Sequence, residues 1–525
     1  MNNDNSKIVS IRFLKSFFII ISILFITFVI FTIDITSLIN FAHDDSFYYL
    51  KTAFNFSTGN GSSFDTINPT NGYHPLYFWI LSLYFFIINL FVNTSPELLF
   101  RFVCVLHLII VIIIIYLISE IIRICYDKNF SKNNKYSNII TYSVLFGTIL
   151  IRDIGTESQL TVLLLLILYF LVLKKNNFNF SYKLILGFVI SLLLLSRTDL
   201  LYVFFIPLMI FYTYRKGVTD LFKKYFIIFI FVLVAVIINI SYNYLVDGSI
   251  FSVSHLIVNS FPQILLLENI KSLYTETGSY ISFLKLLMLL FLFIVSLFIY
   301  SKQKSTIRFD RCFLFSTLLA IGSLLFCFQH LAFNKFGLRS WYMAIPSICI
   351  VLLIINIFQK VRIKKTYLKY LMFVTVVIIS IYFLIIRVFN NKFMYVYLYS
   401  KEIEKITDVN DRIFQIDFSG IAGFFSSRKI INGDGLINSM EYYRYLKGND
   451  VSKFLKEKNV KYYSFYVYKN YQEDDEYIYD YSFKDFSNGI FFKIRKKDII
   501  LKFIYHYEYL LENNIGNWYL VKLNL

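Results

Sequence analysis

Four short stretches, each at the end of an apolar run, carry ionisable residues of types that do chemistry together. The first holds the adjacent carboxylates Asp44 and Asp45, then Lys51, and closes on His74 before Pro75. The second holds Arg152, Asp153 and Glu157, the third Arg197 and Asp199, and the last Lys335 and Arg339. Adjacent carboxylates repel, so Asp44 and Asp45 need a reason to coexist. A positioned carboxylate can take the proton of an attacking hydroxyl. Oxygen ligands also suit Mg2+ or Mn2+, the two ions that this pair would hold if a metal is used. Arginine and histidine can face negative charge that develops during a reaction. The plainer alternatives are ion pairs, Arg152–Asp153 or Arg197–Asp199, and a solvated loop for Asp44–Asp45.

The elements that must position these residues follow from composition. Of 525 residues, 57% are hydrophobic and 16% charged, with mean hydropathy +0.60; soluble proteins carry about 25% charged residues. Apolar runs of about 18 to 21 residues, long enough to cross a bilayer, recur over the first 390 positions or so. The predicted spans are 13–33, 98–118, 138–151, 156–173, 182–196, 200–214, 225–245, 281–299, 313–331, 341–358 and 370–386, with Pro75–Val92 as a re-entrant or interfacial helix. Alternate loops hold 23 and 6 Lys/Arg. By the positive-inside rule the N-terminus is cytoplasmic, and the poorly basic loops, including 34–74 and 246–280, lie outside. Topology thus brings all four stretches to one extracytoplasmic face of a multi-pass protein of the cell membrane.

The net charge of +18 sits mostly in the short basic loops, because residues 389–525 hold 20 Lys/Arg against 18 Asp/Glu. That is a topology signal and argues against a nucleic-acid partner. Five cysteines lie in or beside apolar runs without CxxC spacing, so neither a disulfide framework nor a zinc site is indicated. The expected architecture is an all-α polytopic membrane domain over 1–388, with about 11 transmembrane helices, followed by a small extracytoplasmic α/β domain over 389–525. In the latter, 412–419, 429–432, 460–468, 489–495 and 517–523 read as strands, and 439–446 and 451–458 as helices. His330 lies near an outer boundary, as either a packing or a substrate-facing residue. Trp341-Tyr342 could stack on a sugar or sit in an interfacial belt.

The stretch HDDSFYYLKTAFNFSTGNGSSFDTINPTNGYHPLYFW, His43 to Trp79, resembles the first external loop of GT-C class membrane glycosyltransferases. The match lies in Asp44-Asp45 at the end of the first span, Gly59-Asn60-Gly61, and His74-Pro75-Leu76 opening the next helix. GTESQL (Gly155 to Leu160), LLLLSRTDLLYVF (Leu192 to Phe204) and GDGLINSMEYYRYL (Gly433 to Leu446) resemble further segments of the bacterial polyprenyl-phosphate-sugar branch, similar to the lipid A aminoarabinose transferase and protein O-mannosyltransferase superfamily. Only one proline follows His74, a departure from the family's pattern.

The resemblance implies a hexosyl- or pentosyltransferase. It would move a sugar from a polyprenyl-phosphate donor to a glycan, lipid or protein acceptor of the cell envelope. It puts the base on Asp44, with Asp45 orienting the acceptor or holding a cation. His74, Arg197 and Arg339 are then the residues for the donor phosphate, and Asp153, Glu157, Asp199 and Lys51 complete the candidate set. A transporter or lipid-carrier flippase is the alternative. It would place charges at the bilayer midplane on broken helices, whereas here they sit at the tips.

Overall fold

In a computed structural model, the chain is a helical bundle with a mixed sheet near its C-terminus. The structure describes residues 20–126, 153–174, 179–275, 280–302, 311–361, 392–509 and 512–523, apart from 22, 202, 204–206, 208, 211–217, 468–470, 474 and 481–491. The predicted spans 138–151 and 370–386, and Arg152, lie outside the described residues.

Among the described residues, five helices are long and apolar enough to cross a membrane: Pro96–Cys125, Phe226–Asp247, Ser282–Lys302, Cys312–Phe333 and Ser340–Ile357. Four apolar helices are shorter: Ile23–Thr32, Pro75–Asn89, Ser158–Lys174 and Phe180–Ser196. At 1.5 Å per residue, a 17-residue helix reaches about 25 Å, short of the ~30 Å hydrocarbon core.

The segment 34–74, read from the sequence as an open loop, is folded. Its main helix, α1 (Asp44–Ser57), starts on its two acids, which suit the positive end of the helix dipole. The next helix, α2 (Pro75–Asn89), has proline at its first position, where no intrahelical N–H bond is lost. Between them Asp65 ties the chain by accepting from the N–H groups of Ile67 (2.8 Å) and Asn68 (2.7 Å). The segment 246–280 likewise contains two helices, Val253–Val258 and Leu266–Thr275.

The C-terminal region contains a five-stranded sheet. Its strands β1 (Arg412–Gln415), β2 (Lys429–Asn432) and β3 (Tyr462–Val467) are parallel, in the order β2-β1-β3. An antiparallel hairpin, Ile499–Tyr509 with Glu512–Lys522, pairs onto β3. The predicted strand 412–419 is corrected: pairing ends at Gln415, and a short helix, α3 (Ser419–Phe425), follows. Alternation sends Ile413 and Ile430 to one face of the sheet and their neighbours Phe414 and Ile431 to the other. The first face shares one core with the bundle, where Phe47 meets Phe100, Phe424 and Phe425 at ring distances of 5.1, 5.6 and 5.2 Å. The other face packs against its own helices through Leu446, Phe454 and Leu455.

Candidate active site

Helix α1 decides the geometry. With 3.6 residues per turn, residues four apart share a face, while adjacent residues point about 100° apart. Asp44 and Tyr48 therefore face one way, and Asp45 and Tyr49 another.

The first pair is taken up by the C-terminal region. The Asp44 carboxylate accepts from the backbone N–H of Ile421 (2.8 Å) and of Gly420 (3.1 Å), at the start of α3. The approach is so close that a Cβ on Gly420 would sit 2.3 Å from the Asp44 carbonyl oxygen. Tyr48 donates to Asp434 (2.9 Å) and receives a bond from Asn432 (3.2 Å). A second close approach lies beside it, where a Cβ on Gly72 would fall 1.9 Å from the Leu436 carbonyl oxygen. Burial pushes Asp44 up to about 8, against the pull of the two N–H donors. Burial likewise pushes Asp434 up to about 7. Asp44 thus clasps α1 to α3.

The second pair faces the bundle. The Asp45 side chain makes no hydrogen bond to another residue among those described. Burial raises it to about 6, while Arg339 pulls it down and Glu157 pushes it up. The Arg339 side chain forms no hydrogen bond or ion pair among the described residues; its guanidinium lies over the ring of Phe336, 5.7 Å away. Tyr49 accepts from the backbone N–H of His74 (3.2 Å), whose Nε2 is 4.0 Å from Glu157. Burial lowers His74, so the imidazole is neutral near pH 7.

Behind these groups lies a buried ion network. Arg197 is 2% exposed and grips Asp199 with two bonds, 3.0 and 2.6 Å, and Glu157 with a third of 2.6 Å. Its guanidinium lies 4.8 Å from the Tyr342 ring centre. Tyr342 in turn stacks on His330 at 4.1 Å. His330 Nε2 is 3.1 Å from Asp199 and its Nδ1 is 3.1 Å from Asn334. Burial works against the charge on Asp199, yet Arg197 and His330 hold it well below the usual carboxylate range. The Arg197–Asp199 ion pair is therefore present, and this arginine's fork is already occupied.

Asp153 pairs with His43 at 2.5 Å, and the turn that follows it is stitched to the start of the site by the Ile154 N–H, which donates to the Phe41 carbonyl (3.3 Å). Gly155 has φ +87°, and a Cβ there would meet Ser46 at 3.0 Å; the Gly-x-Glu spacing thus seats Glu157 beside α1. Lys51 stands apart from this group. Burial lowers it to about 8, and the charge it senses is Asp65. Each Asp44 oxygen accepts a backbone N–H, and Asp45 lies about 100° round the helix from it. Among the described residues no group of three His, Cys, Asp or Glu side chains could hold a metal ion. Sequence reasoning passed over Tyr48, Tyr49 and Asp434. The four-residue spacing of Asp44/Tyr48 and Asp45/Tyr49 was the available signal for the tyrosines, and Asp434 lay in view between Gly433 and Gly435.

No protein-family model matches the chain, and no curated protein matches it. Solved structures do resemble it. The Archaeoglobus fulgidus oligosaccharyltransferase, in complex with Zn and sulfate, aligns with TM-score 0.49 and 12% identity over 86% of this chain and 69% of its own. ArnT from Cupriavidus metallidurans, bound to undecaprenyl phosphate, aligns with TM-score 0.49 and 10% identity over 95% and 97%. The archaeal oligosaccharyltransferase AglB from Archaeoglobus fulgidus, with an inhibitory peptide and a dolichol-phosphate, aligns with TM-score 0.43 and 11% identity over 92% and 75%. At these scores the likenesses carry no functional weight.

Proposed function

We propose that this chain is a membrane glycosyltransferase that moves a sugar from a polyprenyl-phosphate carrier to a hydroxyl of a cell-envelope acceptor, with Asp45 as the base and Arg339 on the donor phosphate. The observation that carries this reading is the pairing of Asp45 and Arg339. They are a carboxylate and a guanidinium that feel each other's charge, and neither side chain has a hydrogen bond or close ion pair among the described residues. The neighbouring Arg197, Glu157 and Asp199 are consumed in a rigid frame.

In the reaction, the acceptor oxygen bonds to the anomeric carbon as the bond from that carbon to the phosphate oxygen breaks. Asp45 takes the acceptor's proton, and the lipid phosphate leaves with the bonding electron pair. Arg339 faces the charge that gathers there, and His74 offers a neutral N–H donor. Arg197 acts by holding Glu157 and Asp199 in place. The alternation of basic loops supports an extracytoplasmic site.

The test is release of sugar from a labelled polyprenyl-phosphate sugar in proteoliposomes, with a mixed envelope extract as acceptor. Transfer that is lost in Asp45→Asn is the expected result. Carrier movement between leaflets without sugar release would overturn the reading in favour of a flippase.

A further inference from the structure

The segment running from the last turn of the candidate span Phe226–Asp247 towards Ser282–Lys302 should, as a solvated connection, present polar side chains. Its exposed side chains are instead mostly large and apolar, with His255 and Gln263 the polar exceptions. Leu245 is 82% exposed, Phe261 70% and Leu267 81%, with Ile250, Phe251 and Ile264 also exposed. Six large apolar side chains within 23 residues cost far more in water than scattered ones do. They also continue an existing surface: the preceding helix exposes Leu233, Ile237 and Tyr244, and the following one Leu284, Leu287 and Phe291. Charged surface begins at Glu268 and Lys271, both exposed.

The same segment is fastened to the turn that carries Arg339. The Ser260 N–H donates to Phe333 (2.9 Å), that of Leu265 to Ala332 (2.8 Å), and that of Lys335 to Val258 (2.9 Å). Asn269 donates its side-chain amide to the carbonyls of Leu331 (2.9 Å) and Asn334 (2.8 Å). A Cβ on Gly337 would lie 3.1 Å from Asn269. Whatever fixes the depth of 245–267 therefore fixes the depth of 331–339.

We propose that residues 245–267 lie within the membrane interface on the site's side, with Phe261, Ile264 and Leu267 among the acyl chains, and that this anchor holds Arg339 at the level of the lipid phosphates. The partner is the bilayer surface itself, because the exposed residues prolong the apolar surface of both flanking helices and end at a charged rim. The placement of Arg339 rests on the donor-phosphate reading for its purpose. The depth itself needs no substrate, so the two can fail separately.

The experiment attaches nitroxides through Phe261→Cys, Leu267→Cys, Lys271→Cys and Arg339→Cys in the full chain in lipid nanodiscs. It compares relaxation by oxygen, which concentrates in lipid, with relaxation by a water-soluble nickel chelate, after subtracting labelled unsubstituted protein. Labels at 261 and 267 are expected to be several-fold more accessible to oxygen than to nickel, that at 271 the reverse, and that at 339 intermediate. Nickel access at 267 equal to that at 271 would show a solvated loop and overturn the anchor. Shielding of 261 and 267 from both reagents, relieved when one chain is loaded per disc, would replace the bilayer with a second copy. A label at 339 as water-exposed as 271 would sink the depth assignment even if the anchor stands.

Discussion

Asp44 and Asp45 are neighbours in sequence, but one turns to the C-terminal region and the other to the bundle. On the first side every polar group is answered: the carboxylate by two backbone N–H groups, Tyr48 by Asp434 and Asn432. On the second side the side chains of Asp45 and Arg339 have no hydrogen-bonding partners among the described residues, beside the network held by Arg197. Satisfied buried groups hold a structure together, whereas unsatisfied ionisable groups are candidates for contact with a substrate. The contrast is the ground for proposing chemistry at Asp45, where the family resemblance put the base on Asp44.

The largest effect should come from Asp45→Asn. Loss of a general base typically costs about 10² to 10⁴ in rate. Sugar transfer should fall by that factor, while the melting temperature and the protection of the C-terminal region from protease stay as in the parent protein. A comparable loss in Asp44→Asn with intact docking would return the base to Asp44.

Next in size is the frame. Removing one member of a buried ion pair leaves uncompensated charge and costs about 3–5 kcal/mol. Arg197→Met should therefore lower stability by that order, measured by thermal unfolding in detergent, and Arg197→Lys should recover only part of it because the fork to Asp199 is lost. If Arg197→Met melts normally but raises the donor KM, this arginine belongs to the phosphate after all.

The clasp comes third. Asp44→Asn turns one of two acceptor oxygens into a donor facing an N–H group. Hydrogen bonds to charged groups are worth about 1.5–3 kcal/mol, so the C-terminal region should become protease-sensitive. Gly420→Ala should do the same without touching a charge, because its methyl would drive into the Asp44 backbone. Normal protease resistance in both variants would remove Asp44 from the docking surface.

Much of this was legible in the chain. Apolar runs gave the helices Tyr280–Lys302 and Arg311–Phe333 almost to their ends, and Pro96–Tyr126 all but its last two turns, because lipid-length helices need continuous hydrophobicity. Ser439 and the apolar pattern after it marked the helix Met440–Lys447, which Ser439 caps by accepting from Tyr442. The helix after β1 was misread because its Ser-Gly-Ile-Ala-Gly sequence has weak helix formers; tertiary contact with Asp44 and Phe64 supplies what propensity lacks. The hairpin of Ile499–Tyr509 and Glu512–Lys522 was only partly seen, since of its two strands only 517–523 was read from the sequence. No pattern within residues 43–49 alone could assign Asp44 and Asp45 to different partners. The helix period separates them, but what lies on each side is set by residues nearly 300 and 380 positions away.

The smallest effect is also the most specific. Asp45 must be ionised to accept a proton, so kcat/KM should rise with pH through about 6 and level off above it. Arg339 is the cation that lowers this carboxylate, and Glu157 the anion that raises it. Removing the cation in Arg339→Gln should move the rising limb upward, by no more than about one unit since the pair is part-exposed and screened. The plateau should drop as well, through loss of the phosphate contact. Arg339→Lys keeps the charge and should keep the limb where it was, with a lower plateau because the fork is gone. Glu157→Gln removes the opposing anion and should move the limb downward. A pH profile of initial rates for the four proteins, under one acceptor and saturating donor, checks all of this at once. Identical limbs in Arg339→Gln and the parent would mean that Asp45 does not titrate in the rate-limiting step, and a merely structural Arg339 would lower every point of the profile by the same factor.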